Sequence, residues 1–160
     1  MKRILMTVLL FAMLIIAGCH ASDPMPQQED LAFTYNGIRI AMDSDVEPIL
    51  EALGEPKSYT EEASCAFDGL DKTYDYGSFY LSTYPLNGRD YVYTIWFADD
   101  TAATDKGIHI GTHQSQVEEA YGKGSFNGTN SYVLTRGQSR LIILIENGVV
   151  SSVRYEVILE

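Results

Sequence analysis

Two Asn-Gly dipeptides, Asn87-Gly88 and Asn147-Gly148, constrain this chain more than any other feature. An Asn-Gly pair accepts positive φ at two successive residues, as a tight two-residue hairpin turn demands. Alternating apolar runs flank each pair, so each predicts an antiparallel hairpin. The expected strands are 79–85 and 91–98 around the first turn, and 140–146 and 149–157 around the second. A further strand precedes each hairpin, at 72–76 and at 131–136. The two turns lie 60 positions apart, and so do Gly77 and Gly137 in the turns before them.

The same order extends upstream. Gly37-Ile38-Arg39-Ile40-Ala41-Met42 is echoed by Gly107-Ile108-His109-Ile110-Gly111-Thr112. A helical stripe follows each: Val46, Ile49, Leu50 and Leu53 in the first, Val117, Ala120 and Tyr121 in the second. Spacings of three and four place those residues on one helix face. Asp45 or Asp43 can cap the first helix, with Asp45 favoured because it leaves Pro48 in the first turn, and Thr112 suits the second. Gly54 and Gly122 are positioned as helix terminators. The first copy carries an eight-residue surplus in the loop 57–70, which contains Cys65. These observations predict an α+β fold of two tandem repeats, 32–100 and 101–160. Each is a short helix packed on an antiparallel meander of three to four strands. A front hairpin, Phe33 to Ile40 through Asn36-Gly37, is expected to add an edge strand.

The N-terminus reads as an address. Met1-Lys2-Arg3 precedes an apolar run from Ile4 to Ile16, which closes on Ile16-Ala17-Gly18-Cys19. A positive start, a greasy core too short to span a bilayer and small residues before a cysteine together predict a lipoprotein signal peptide, 1–18. Cys19 is then the lipidated N-terminus, and the two acyl chains of a diacylglycerol anchor stably in a membrane. Residues 19–31 carry Pro24 and Pro26 with no apolar period and are expected to be a lipidated flexible tether. The folded part would lie in the cell envelope, outside the cytoplasm. Removing 1–18 leaves 142 of the 160 residues and takes the formal net charge from −11 to −13, because Lys2 and Arg3 are lost. So acidic a surface repels nucleic acid. With Cys19 carrying lipid, Cys65 is the sole remaining cysteine. No internal disulfide can form, and Cys65 is expected to be a buried small hydrophobe.

A helix layer covers one side of a sheet, so alternation decides what the other side presents. In 79–85, Phe79 and Leu81 form the aliphatic and aromatic core set. In 91–97, Tyr91, Tyr93, Ile95 and Phe97 do the same. Tyr80, Tyr84 and Trp96 are left as candidate partner-binding residues on an open face, with Arg154 added by the second half. Tyrosine and tryptophan bury large area at low entropic cost and keep a polar tip. The run Leu141 to Ile145 is too apolar for either face to be assigned.

The stretches Ile40-Ala41-Met42-Asp43 leading to Leu53-Gly54-Glu55-Pro56, and Ile110-Gly111-Thr112 leading to Tyr121-Gly122, share one form: hydrophobic, small residue, cap, short helix, glycine. In a small exported chain this resembles the β-lactamase-inhibitory-protein fold and the outer-membrane-assembly lipoproteins of the SmpA/OmlA (BamE) type. The segment from Cys65 to Tyr74 resembles one in small lipoproteins of this kind. The resemblance implies a non-enzymatic module whose sheet meets a protein partner.

Catalytic chemistry finds little support. The histidines are His20, in the tether, His109 and His113, and Cys65 with His109 is the sole cysteine–histidine combination. His109 and His113 are separated by a strand end and a helix cap, so they share no helix face for a metal. Asp99, Asp100 and Asp105, and likewise Asp68, Asp71 and Asp75, lack the ligand spacing of a calcium loop. No phosphate loop or nucleophile elbow occurs. No cofactor, metal or catalytic residue is assigned. The expected function is a lipid-anchored extracytoplasmic protein-binding module. Its rivals are a Cys65-dependent envelope enzyme or redox protein, and a purely structural envelope lipoprotein.

Overall fold

The computed structural model describes residues 29–122 and 130–159. The expected signal peptide, Cys19 and most of the expected tether lie outside the described residues. Among the described residues, nine strands and two helices follow in the order β1 (Ala32–Tyr35), β2 (Ile38–Ala41), α1 (Glu47–Leu53), β3 (Ser58–Ala63), β4 (Leu70–Asp75), β5 (Phe79–Leu86), β6 (Arg89–Phe97), α2 (Gln114–Tyr121), β7 (Ser131–Arg136), β8 (Ser139–Glu146) and β9 (Val149–Val157). The Asn-Gly turns join β5 to β6, β8 to β9 and β1 to β2. Asn87, Asn147 and Asn36 hold φ near +50°, with a left-handed glycine after each.

The architecture corrects the expected α+β tandem repeat of helix on meander. The chain is mostly β. Seven strands form one antiparallel sheet in the order β3-β4-β5-β6-β9-β8-β7, and β1 with β2 forms a separate two-stranded sheet. The two sets of strands fuse where β6 pairs with β9, with Ile95 opposite Tyr155 and Trp96 opposite Arg154. The physical reason lies in helix length. α1 has seven residues and α2 eight, and each contributes one buried side chain, Ile49 and Val117. Two turns of helix at 1.5 Å per residue cannot cover seven strands spaced at about 4.8 Å.

The β1–β2 hairpin supplies much of the missing cover. Phe33 and its cross-strand partner Ile40 are both fully buried, in a core with Phe79, Leu81, Ile95, Phe97 and Tyr155. Coil residues Ala102 and Ile108 join the same core. The hairpin is therefore a lid on the core and not the added edge strand that its sequence suggested.

Both helices end where expected, with Gly54 at φ 76° and Gly122 at φ 87°. Val46, not the expected Asp45, occupies the N-cap of α1, and Asp45 accepts the Glu47 N–H at 3.0 Å from one position earlier. The second cap also differs from expectation. His113 occupies the N-cap, while the Thr112 hydroxyl accepts the His109 N–H at 3.0 Å.

The eight-residue surplus is also structured. It forms β3 and the tip of the β3–β4 hairpin, residues 64–69. Cys65 sits in that tip and is exposed, contrary to the buried thiol expected. The tip folds back over the end of β5: Phe67 lies 4.9 Å from the ring of Tyr84. Gly69, at φ 138°, comes so close that an added Cβ would stand 2.8 Å from the Cβ of Pro85. A side chain there meets both backbone strain and a clash with a rigid ring. Gly69→Ala is expected to cost about 1–3 kcal/mol, measured by thermal unfolding.

Candidate protein-binding face

The sheet has one face on the core and one free of any covering element among the described strands and helices. Register places a continuous row across the free face, from Val133 and Ile142 through Arg154, Trp96 and Tyr80 to Asp75 and Ser58. Tyr80 and Trp96 are direct cross-strand partners, with ring centroids 6.3 Å apart. Trp96 is 55% exposed and Tyr80 37%. An indole in the middle of a sheet, flanked on both sides by paired strands, would ordinarily be covered.

Arg154 stands directly opposite Trp96 on the next strand. Its Nε donates to Glu156 at 2.8 Å, and Arg140 bonds the other oxygen of the same carboxylate. Glu156 is nearly buried beneath the two guanidinium groups. This pairing fixes where the Arg154 charge stands relative to the indole. Farther along, the unassigned run resolves cleanly. Leu141, Ile143 and Ile145 are buried, while Leu144 is exposed and Ile142 half-buried beside Arg154.

Tyr84 is not open on this face, which corrects the expected trio. It keeps the outward phase of Tyr80, since β5 has no inserted residue, but it is only 5% exposed under the ring of Phe67. The neighbouring strand β6 carries a bulge: Ser82 pairs with Thr94 but Thr83 pairs with Val92, which leaves Tyr93 as an extra residue. One inserted residue reverses the inward–outward phase of a strand. Val92 thus enters the core and Tyr93, expected inside, is exposed. Tyr84 lies beside Tyr91 and Tyr93, beneath Phe67. Its hydroxyl donates to the Asp43 carboxylate. Burial first, and that bond second, push the Tyr84 hydroxyl well above the usual tyrosine range. It is a structural residue.

Among the described residues, no other region assembles chemistry. A cavity of about 280 Å³ at the end of the core is lined by Glu29, Asp30 and Asp105 against Arg39, Lys106 and Arg136, so it selects neither sign of charge. His109 is engaged through Nδ1 with the Ile110 carbonyl at 2.9 Å. Among the described residues, no group of three or more His, Cys, Asp or Glu side chains is placed to hold a metal ion. No helix among them is long and apolar enough to cross a membrane. Comparison with known proteins gives no match to any family model, curated protein or solved structure.

Proposed function

We propose that this chain is a lipid-anchored, extracytoplasmic module that binds another protein through the free face of its sheet and carries out no catalysis. The observation that carries the reading is Trp96, exposed mid-sheet between Tyr80 and Arg154. Tryptophan, tyrosine and arginine are the three residue types most enriched at the energetic centres of protein interfaces. Here they form one contiguous strip on rigid, doubly paired strands. Such a strip loses little conformational entropy on binding, because its rings and its carboxylate-held guanidinium are already fixed. Anchoring is read from the 1–19 sequence, where Cys19 would carry the lipid.

The test is capture from intact producing cells with the native chain and with a Tyr80→Ala/Trp96→Ala variant. The Tyr84 position is left alone, since its removal opens the core. A specific protein recovered by the native chain and lost by the folded variant supports the reading. Equal recovery by both refutes it.

The rival based on Cys65 makes the opposite demand. An exposed thiol at a hairpin tip packs against little, so Cys65→Ser is expected to change the unfolding free energy by less than about 0.5 kcal/mol. Partner capture should be unchanged as well. Loss of capture on this substitution alone would return Cys65 to the centre of the function.

A further inference from the structure

The β3 strand is an edge of the seven-stranded sheet, paired only with β4. The bond from the Ser64 N–H to the Gly69 carbonyl, at 3.0 Å, sets the phase of that ladder. Residues 58, 60 and 62 therefore turn their backbone groups toward β4, and Tyr59, Glu61 and Ala63 turn theirs outward. All six residues of the strand are exposed. Exported proteins block such edges with proline, lysine, bulges or a covering element. The strand has no proline or lysine, and its register with β4 is unbroken over all six residues.

What it carries is negative charge on both faces. Glu61 projects to one side and Glu62 to the other. Glu62 stands directly opposite Asp71, an unfavourable like-charge cross-strand pair. One oxygen of Asp71 is buried without a hydrogen-bond partner among the described residues. The nearby cation, Lys72 opposite Glu61, is already held by Asp90 at 2.7 Å. Each of these groups is improved by an added positive charge. A second copy of this chain is disfavoured there, because β3 against β3 brings two glutamate pairs together.

We infer that the β3 edge accepts an extended, lysine- or arginine-rich segment of a partner protein, added as an eighth strand. Backbone pairing with Tyr59, Glu61 and Ala63 would supply the register, and Glu61, Glu62 and Asp71 would select the basic side chains. This is a second surface, two strands away from Tyr80, and it stands or falls apart from the aromatic face.

The experiment uses the purified full-length chain in neutral detergent. Three labelled ten-residue peptides serve as probes: alternating lysine and threonine, the same with glutamate for lysine, and the lysine peptide N-methylated at every residue. The lysine peptide is expected to bind, with affinity falling as salt rises, and the other two to bind at least about tenfold more weakly. Hydrogen exchange at the Tyr59, Glu61 and Ala63 amides should slow on binding. Glu61→Lys/Glu62→Lys should transfer the preference to the glutamate peptide. Equal binding of the N-methylated peptide would show charge attraction without strand addition, and overturn the inference. So would protection confined to β5, β6 or β9, or protection that grows with protein concentration in the absence of peptide.

Discussion

Replacing Phe33 by alanine is expected to lower the unfolding free energy by about 3–5 kcal/mol. Phe33 is fully buried, and its ring meets Phe79 and Phe97 at 5.1 Å each and Tyr155 at 6.1 Å. Deleting it removes the burial of a large ring and leaves a void among aromatic groups that cannot collapse into it. Denaturant unfolding of the variant beside the native chain checks the figure. The size of the effect also separates two accounts of the β1–β2 hairpin. As a solvent-facing edge addition it would contribute less than about 1 kcal/mol through this residue. As a lid over the part of the sheet that two short helices leave bare, it contributes several.

The second large effect is on binding and leaves the fold alone. Trp96→Ala is expected to weaken partner affinity by about thirtyfold or more, the range of an interface hot spot near 2 kcal/mol. The stability change should stay below about 1 kcal/mol, since more than half of the side chain is already in water. Tyr84→Ala behaves in the opposite way. It removes a buried ring and its bond to Asp43, so it should cost stability without reporting on the partner. Calorimetric binding and thermal unfolding of the two variants form one crossed comparison. A Trp96 variant that binds normally, or that unfolds like the Tyr84 variant, contradicts the assignment of faces.

The parts of this fold visible in the sequence are those set locally. Asn87-Gly88 and Asn147-Gly148 fix hairpins because few other dipeptides accept two positive φ angles, and both hairpins are present. Gly54 and Gly122 end helices for the same reason. Tyr80 and Trp96 face outward because period-2 alternation holds over the stretch that contains them. The alternation breaks at Tyr93, three residues before Trp96. The bulge lies beside the stretch of β6 where the 43–46 turn hydrogen-bonds to Asp90 and Val92, a contact between distant segments that no local pattern encodes. Tyr93 is gained on the face through the bulge, and Tyr84 is lost from it through a second distant contact, the cover of Phe67. The segment Ser58–Ala63 looks like loop in the sequence, because Glu61, Glu62 and Ala63 are poor strand formers. It becomes a strand through its pairing with β4, a tertiary effect. The repeat pattern was present as a string of turns and stops, yet it said nothing of how much sheet two-turn helices could cover.

Site-specific photocrosslinking from positions 80, 96 and 144, compared with Glu51 on the opposite side of the molecule, tests the binding-face claim most directly. The native chain with a photoreactive residue at each position would be irradiated in intact producing cells. We predict a discrete adduct with the same protein from positions 80, 96 and 144 and none from 51. Adducts of equal pattern from all four positions, or a discrete adduct from 51 alone, would contradict a protein-binding role for the free face of the sheet.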